Sequence, residues 1–186
     1  MNHRKIIAGL LGCAVAVGGT GVAVAAKSAP APKKLTIKEK AGIKFKPNRY
    51  IQDGMRWSKD LYTVRAGGVV TVVLNQPQDG PHTFSVVRKK DLPKTAKQLN
   101  NCKICRTLGK AHGADPNSPA PPTFQYLENG VGQNTPPNLD RPGDSGVTAP
   151  NKGAKITFKV KAKAGTTLRF MCIIHPWMQA RLKVVK

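Results

Sequence analysis

Residues 155–161, Lys155-Ile156-Thr157-Phe158-Lys159-Val160-Lys161, alternate apolar and polar side chains one by one. A period of two belongs to a β-strand with one buried face; a helix would scatter Ile156, Phe158 and Val160 around its circumference. The pattern recurs. After a turn at Gly165, residues 167–172 place Leu168, Phe170 and Cys172 on one face, and Arg181-Leu182-Lys183-Val184 closes the chain in the same way. Upstream, residues 61–64, the turn Ala66-Gly67-Gly68 and residues 69–74 read as strand, turn, strand. Asp79-Gly80-Pro81 is a turn from which residues 82–86 leave as a strand, and 35–45 is a weaker strand candidate broken by Ala41-Gly42. Short strands punctuated by 18 glycines and 15 prolines predict an all-β chain, an antiparallel Greek-key sandwich or a barrel. This excludes a helical bundle, a coiled coil and a multi-span membrane protein.

Residues 88–152 interrupt the pattern. Residues 94–112 predict a helix, because Leu99, Cys102, Cys105, Leu108 and His112 recur at spacings of three and four. Residues 115–153 are rich in Pro, Asn and Gly and have no period. A structureless loop that long is unusual inside a compact domain. The stretch therefore reads as a loop and helix insertion packed over a sandwich, in part mobile.

The N-terminus reads as an address. Arg4 and Lys5 precede an uncharged stretch from 6 to 26, and Ala23-Val24-Ala25 is a small-x-small cleavage site. Residues 1–26 are thus expected to be a secretory signal peptide, 27–34 a Pro/Lys-rich linker, and 35–186 the domain. Two other readings stay open: an uncleaved membrane anchor, or Leu10-Leu11-Gly12-Cys13 as a lipoprotein box with Cys13 lipidated. All three put the domain outside the cytosol, in a periplasm, at a cell surface or in the medium.

Lys plus Arg number 31 against 9 Asp plus Glu, a formal +22. Loss of 1–26 removes Arg4 and Lys5 and leaves 29 basic against 9 acidic residues, +20. Export makes nucleic acid an unsuitable partner for this charge. Anionic envelope polymers, acidic lipid headgroups or an acidic protein fit it, as does a merely solubilising layer of lysines.

The chemistry lies in Cys172-Ile173-Ile174-His175-Pro176-Trp177-Met178, which puts a thiol, an imidazole and a thioether within seven residues on a loop between two strands. His82 shares the inward face of its strand with Phe84 and Val86, and Cys172 shares one with Leu168 and Phe170. Taken singly, each has a plain reading: a buried apolar thiol, a turn histidine, a core methionine. Adjacent strands would bring the two imidazoles and the thiolate together. A thiolate with two imidazoles and a weak axial thioether is the blue-copper donor set, which serves Cu(I) and Cu(II) with little rearrangement.

At these residues the sequence resembles the cupredoxin family, the single-domain type 1 blue copper proteins such as plastocyanin, azurin and pseudoazurin. The Cys-x-x-His-Pro-x-Met loop at 172–178 is amicyanin-like, and Val69-Val70-Thr71-Val72-Val73-Leu74-Asn75 and Gly80-Pro81-His82-Thr83-Phe84 add to the likeness. It covers about 60–87 and 153–186. The resemblance implies one copper ion, with His82, Cys172 and His175 as equatorial ligands and Met178 as the axial one. It also implies that His175 lies nearest the surface, ringed by a docking patch of Ile174, Pro176 and Trp177. Three departures stand out: 90 positions separate His82 from Cys172, Ile173 and Ile174 are bulky and apolar, and the chain is very basic.

The family's uses narrow on this sequence. A binuclear site needs two loop cysteines, and a multicopper oxidase needs paired His-x-His motifs; neither is present. The expected function is electron transport rather than catalysis: one electron carried between envelope redox partners, one of them acidic, by Cu(II)/Cu(I) cycling. Two alternatives remain, a copper carrier or scavenger using the same site, and a copper-free basic sandwich that binds anionic polymers. Cys102 and Cys105 are expected to form a disulfide in an oxidising compartment. Their rivals are a second metal site with His112 and a redox-active dithiol beside Lys103 and Arg106.

Overall fold

The computed structural model of the chain describes residues 29–76, 80–115, 117, 118 and 120–186. The expected signal segment 1–26, the first two residues of the expected linker and Asp79 of the expected turn lie outside the described residues.

Alternation produces the strands it predicts. In the strands Lys155–Val160 (β12) and Gln179–Val185 (β14), every second residue is buried: Ile156, Phe158 and Val160 in one, Ala180, Leu182 and Val184 in the other. Thr167–Met171 (β13) buries Leu168 and Phe170 on the same principle. Lys34–Lys40 (β1), Leu61–Arg65 (β5) and Val69–Val73 (β6) complete the upstream set. One sheet has the order β10-β12-β6-β1-β4, where β4 is Arg56–Trp57 and β10 is Asn138–Leu139. The facing sheet runs β5-β14-β13-β7-β11-β8-β9, with β7 Thr83–Val87, β8 Tyr126–Glu128, β9 Val131–Gln133 and β11 Ser145–Val147.

The two inner faces meet in one core. Ile37, Val70, Val72, Ile156 and Phe158 come from the first sheet; Tyr62, Val64, Phe84, Phe170 and Leu182 come from the second. Phe84 stacks on Phe170 at 4.2 Å between centroids and tilts against Phe158 at 5.1 Å. Each of these buried rings contributes roughly 1.5–3 kcal/mol. Gly146 of β11 passes so close that a Cβ there would stand 2.9 Å from Phe158, so any side chain would displace that ring.

Three results go beyond the sequence reading. Most pairings are antiparallel as expected, but β1–β6, β5–β14 and β10–β12 are parallel, because their connections cross over instead of turning back. The insertion also supplies β8 to β11, strands of two or three residues that are too short to show a period. Asp144 gathers this segment by accepting N–H groups of Asn129, Asp140 and Arg141, and burial raises its carboxyl above the usual carboxylate range. Finally, the helix expected over 94–112 is two helices, Ala96–Asn100 (α1) and Lys103–Ala111 (α2). Cys102 is extended at φ −67°, ψ 94° and caps α2, and its disulfide to Cys105 closes the first turn. Gly113, at φ +74°, ends α2.

Every residue of β7 is buried. Phe84 and Val86 face the sandwich. Val87, on the outer face, joins Leu108, Leu127, Met171 and Cys102 in a second, smaller cluster under the insertion. The insertion thus roofs the outer side of the sheet beside the ligand loop. Ile43–Lys46 (β2) and Tyr50–Asp53 (β3) form a separate hairpin that leaves Ile43, Phe45 and Ile51 more than half exposed.

Candidate metal centre

His82 enters β7 and Cys172 leaves its antiparallel neighbour β13, so the sheet register brings them to one end of the sandwich. Thr148 fixes the first. The His82 N–H donates to Thr148 Oγ1 at 3.0 Å, and the Thr148 N–H donates to the His82 carbonyl at 2.9 Å. The loop that follows Cys172 closes on itself. Met178 N–H donates to the His175 carbonyl (2.8 Å), and Cys172 N–H donates to the Met178 carbonyl (3.0 Å). Trp57 Nε1–H donates to that same carbonyl at 3.1 Å across a sequence distance of 121 residues.

The result is a cluster of three ligand atoms. Cys172 Sγ lies 3.8 Å from His82 Nδ1 and 3.7 Å from His175 Nδ1, and the two Nδ1 atoms lie 3.1 Å apart. This group can hold a metal ion. Cys172 and His82 are buried, whereas His175 is half-buried and lies at the rim. Met178 is wholly buried at the far end of the same loop. The donor set, one thiol and two imidazoles presenting the same ring nitrogen, suits a soft, imidazole-accepting ion.

The electrostatics favour a neutral thiol at Cys172 and a neutral ring at His175 before metal arrives. Burial pushes the Cys172 thiol up, opposed by the Thr83 N–H that donates to Sγ at 3.3 Å. The His175 imidazole is pushed down to about 4, first by burial, then by the adjacent His82, with Asp53 pulling the other way. Metal binding thus has to release the thiol proton but finds His175 already unprotonated at neutral pH.

The expected docking patch needs one correction. Ile174 and Trp177 are 43% and 42% exposed, but Pro176 is buried. Gln179 Nε2 bridges the Pro176 carbonyl to the Pro93 carbonyl and draws the turn inward. Cys102 and Cys105 form a disulfide, so neither offers the thiolate that the rival second metal site with His112 requires. His112 instead donates from Nδ1 to the Phe124 carbonyl and meets Ser145 through Nε2.

Several site residues escape sequence reasoning. Thr83, Trp57 and Thr148 each hold the centre through backbone atoms of distant residues, which leave no pattern in the chain. The one available signal is the position of Thr83, directly after a candidate ligand.

No protein-family model matches the chain, and no curated protein matches it. Among solved structures the chain is similar to auracyanin A, a "blue" copper protein of Chloroflexus aurantiacus, at 18% identity over 83% of this chain and 99% of that one, TM-score 0.40. It is similar to a purple cupredoxin of Nitrosopumilus maritimus at 13% identity over 81% and 98%, TM-score 0.39. It is also similar to part of a laccase of Pediococcus acidilactici, at 11% identity over 85% of this chain and 28% of the laccase, TM-score 0.37.

Proposed function

We propose that His82, Cys172 and His175, with Met178 from the same loop, would hold one copper ion, and that the protein is an exported electron carrier. The observation that carries this reading is the convergence of a buried thiol and two imidazole Nδ1 atoms at one end of a β-sandwich. Bound copper would supply a one-electron Cu(II)/Cu(I) couple. The chain's own part is to orient and to exclude water. Thr148 and Trp57 fix the two segments that carry the ligands, the Thr83 N–H supports the thiolate charge, and the apolar surroundings keep solvent from the sulfur. Donors held this rigidly have little freedom to move between oxidation states.

Half-buried His175 is the exit for the electron. Exposed Ile174 and Trp177 beside it form a small apolar contact, of the kind that transient redox encounters use. Arg181 and Lys183 lie on the exposed face of β14, and Arg88, Lys89 and Lys90 are exposed after β7, so an acidic redox partner fits. Two features support export: the signal-like residues 1–26 and the Cys102–Cys105 disulfide, which persists in an oxidising compartment. Among the described residues, no helix is long and apolar enough to cross a membrane.

The test is a titration of metal-free protein with Cu(II), followed by absorption and voltammetry. An intense thiolate-to-copper band saturating at one equivalent, with a reversible wave, supports an electron carrier. The band with copper handed to an acceptor apoprotein and no reversible wave points to a copper carrier. No band at all overturns the copper reading and leaves a basic binding sandwich.

A further inference from the structure

A file of buried polar side chains runs from the ligand loop into the insertion. The Thr83 N–H donates to Cys172 Sγ, and the Ile173 N–H donates to Thr83 Oγ1 at 2.8 Å. Ser85 Oγ lies 3.1 Å from Thr83 Oγ1 and 2.6 Å from Ser145 Oγ. Ser145 Oγ lies 2.9 Å from His112 Nε2. Thr83, Ser85, Ser145 and His112 are each at most 2% exposed. Sheet geometry makes the file possible: Thr83 and Ser85 are two apart on the outer face of β7, and Ser145 of β11 is the register partner of Ser85. Polar groups this deep cost stability unless each is paired, and in an apolar setting each bond polarises the next.

We propose that His112 is a positioning residue for the metal centre, acting through Ser145, Ser85 and Thr83 on the two N–H bonds that hold the Cys172 sulfur and the start of the ligand loop. The consequence for copper rests on the function proposed above; the link itself does not.

Proton counting shows how the ring acts at this distance. The Phe124 carbonyl can only accept, and it lies 2.8 Å from Nδ1, so Nδ1 carries a proton. Ser85 donates to Thr83 Oγ1, so its own oxygen takes the Ser145 proton, and Ser145 takes a proton from Nε2. That direction needs a doubly protonated ring. Burial pushes His112 below its ordinary value, toward the neutral ring. In that state Nε2 accepts from Ser145, Ser145 accepts from Ser85, and Thr83 Oγ1 loses the Ser85 proton and keeps only the Ile173 N–H. The proton state of His112 therefore decides whether the Ser85 proton points at Thr83 or away from it. Among the described residues, no charged side chain blurs this control. Arg106 and Lys110 of α2 and Asp115 after it are exposed, the α2 cysteines are disulfide-bonded, and Asp144 spends its carboxylate on three backbone N–H groups. β7, β11 and residues 122–125 bring only Thr83, Ser85, Ser145 and uncharged groups.

The experiment compares wild type with His112→Phe, His112→Gln and Ser145→Ala. In metal-free protein, NMR follows the Thr83 and Ile173 amides. They are expected to titrate in step with the His112 ring, and Ile173 amide exchange is expected to rise several-fold in His112→Phe. Gln, which can donate to Phe124 and accept from Ser145, restores slow exchange but not the titration. In copper-loaded protein, His112→Phe and Ser145→Ala are expected to shift the reduction potential and the thiolate-to-copper band, and Gln to return them toward wild type. Folded variants whose amides, band and potential all match wild type overturn the proposal. If His112→Phe does not fold, Ser145→Ala interrupts the same file and gives the decision. A wild type without a copper band sinks the copper reading alone, because the metal-free amides still decide whether His112 acts on the loop.

Discussion

Trp57→Phe should destabilise the metal-free protein by about 3 kcal/mol. Trp57 is 2% exposed and the only polar atom of its side chain, Nε1, donates to the Met178 carbonyl in a buried bond of 3.1 Å. Losing that bond costs about 1 kcal/mol; the carbonyl keeps its bond from Cys172 N–H and is not orphaned. Removing the second ring takes away buried apolar surface worth about 1 kcal/mol. It also leaves a void of roughly 30 Å³, about one water, which at ~24 cal/mol per Å³ adds a little under 1 kcal/mol. Phe170, 5.6 Å away, is locked by Phe84 and cannot swing in to fill it. For a domain of about 150 residues this lowers Tm by roughly 6–12 °C. Thermal unfolding followed by far-UV circular dichroism measures it. A fall of less than about 3 °C would show that the indole does not brace the ligand loop, and the account of how Met178 is held would fail with it.

Cys172→Ser should abolish the coloured band while the sandwich stays folded, because a hydroxyl cannot replace thiolate donation; Met178→Leu should keep copper and shift the potential. A Cys172→Ser protein with an unchanged spectrum contradicts the site. Denatured, metal-free protein lacking residues 1–26 should titrate one free thiol, Cys172, with the disulfide intact; three thiols contradict the bridge. Metal-free protein should lose stability as pH falls from about 6.5 to about 4, since the unfolded His175 gains a proton that the folded one resists. Full burial would make this about 3 kcal/mol, and the solvent at half-buried His175 cuts it to roughly half. His112 adds to the loss and Asp144 opposes it at the acid end; urea midpoints that rise on acidification, or a His175→Gln variant with the same slope, would refute the assignment. Electron transfer from an acidic donor should slow steeply as salt rises through 0.1 M, where screening acts over about 10 Å. A rate flat in salt and indifferent to Arg181→Glu would leave the surface charge without that role.

What the sequence made legible was whatever repeats or clusters along the chain. β12, β13 and β14 were visible because one face of each is core and the other is water. Cys172 and His175 were visible because they sit three apart. The helix over 94–112 was half legible: spacing found its apolar face, but not that it would divide between Asn100 and Lys103. Strands β8 to β11 were hidden because two or three residues cannot display a period, whereas β7 was legible from the Gly80-Pro81 turn that precedes it; its burial on both faces was not. His112 was visible on a helical stripe and as a rival metal ligand beside Cys102 and Cys105, but not as a partner of the sheet. Its ring partners, the Phe124 carbonyl and Ser145, lie 12 and 33 positions away, and the Ser145–Ser85 hydroxyl pair beyond them follows sheet register, which no local pattern encodes.

The loop that Trp57 braces has an optical consequence. The sequence contains two tryptophans, and the structure sets one against each imidazole: Trp57 at 6.1 Å from His82 and Trp177 at 5.4 Å from His175, centroid to centroid. A paramagnetic Cu(II) ion between those rings would quench both indoles at close range. The two emit from unlike surroundings, Trp57 sealed in the core and Trp177 open to solvent, so their fluorescence separates into a blue and a red component. Metal loading would dim both together, whereas a partner covering the His175 rim would shift only the red one. The unlabelled protein thus carries two lamps that report occupancy and docking as separate signals.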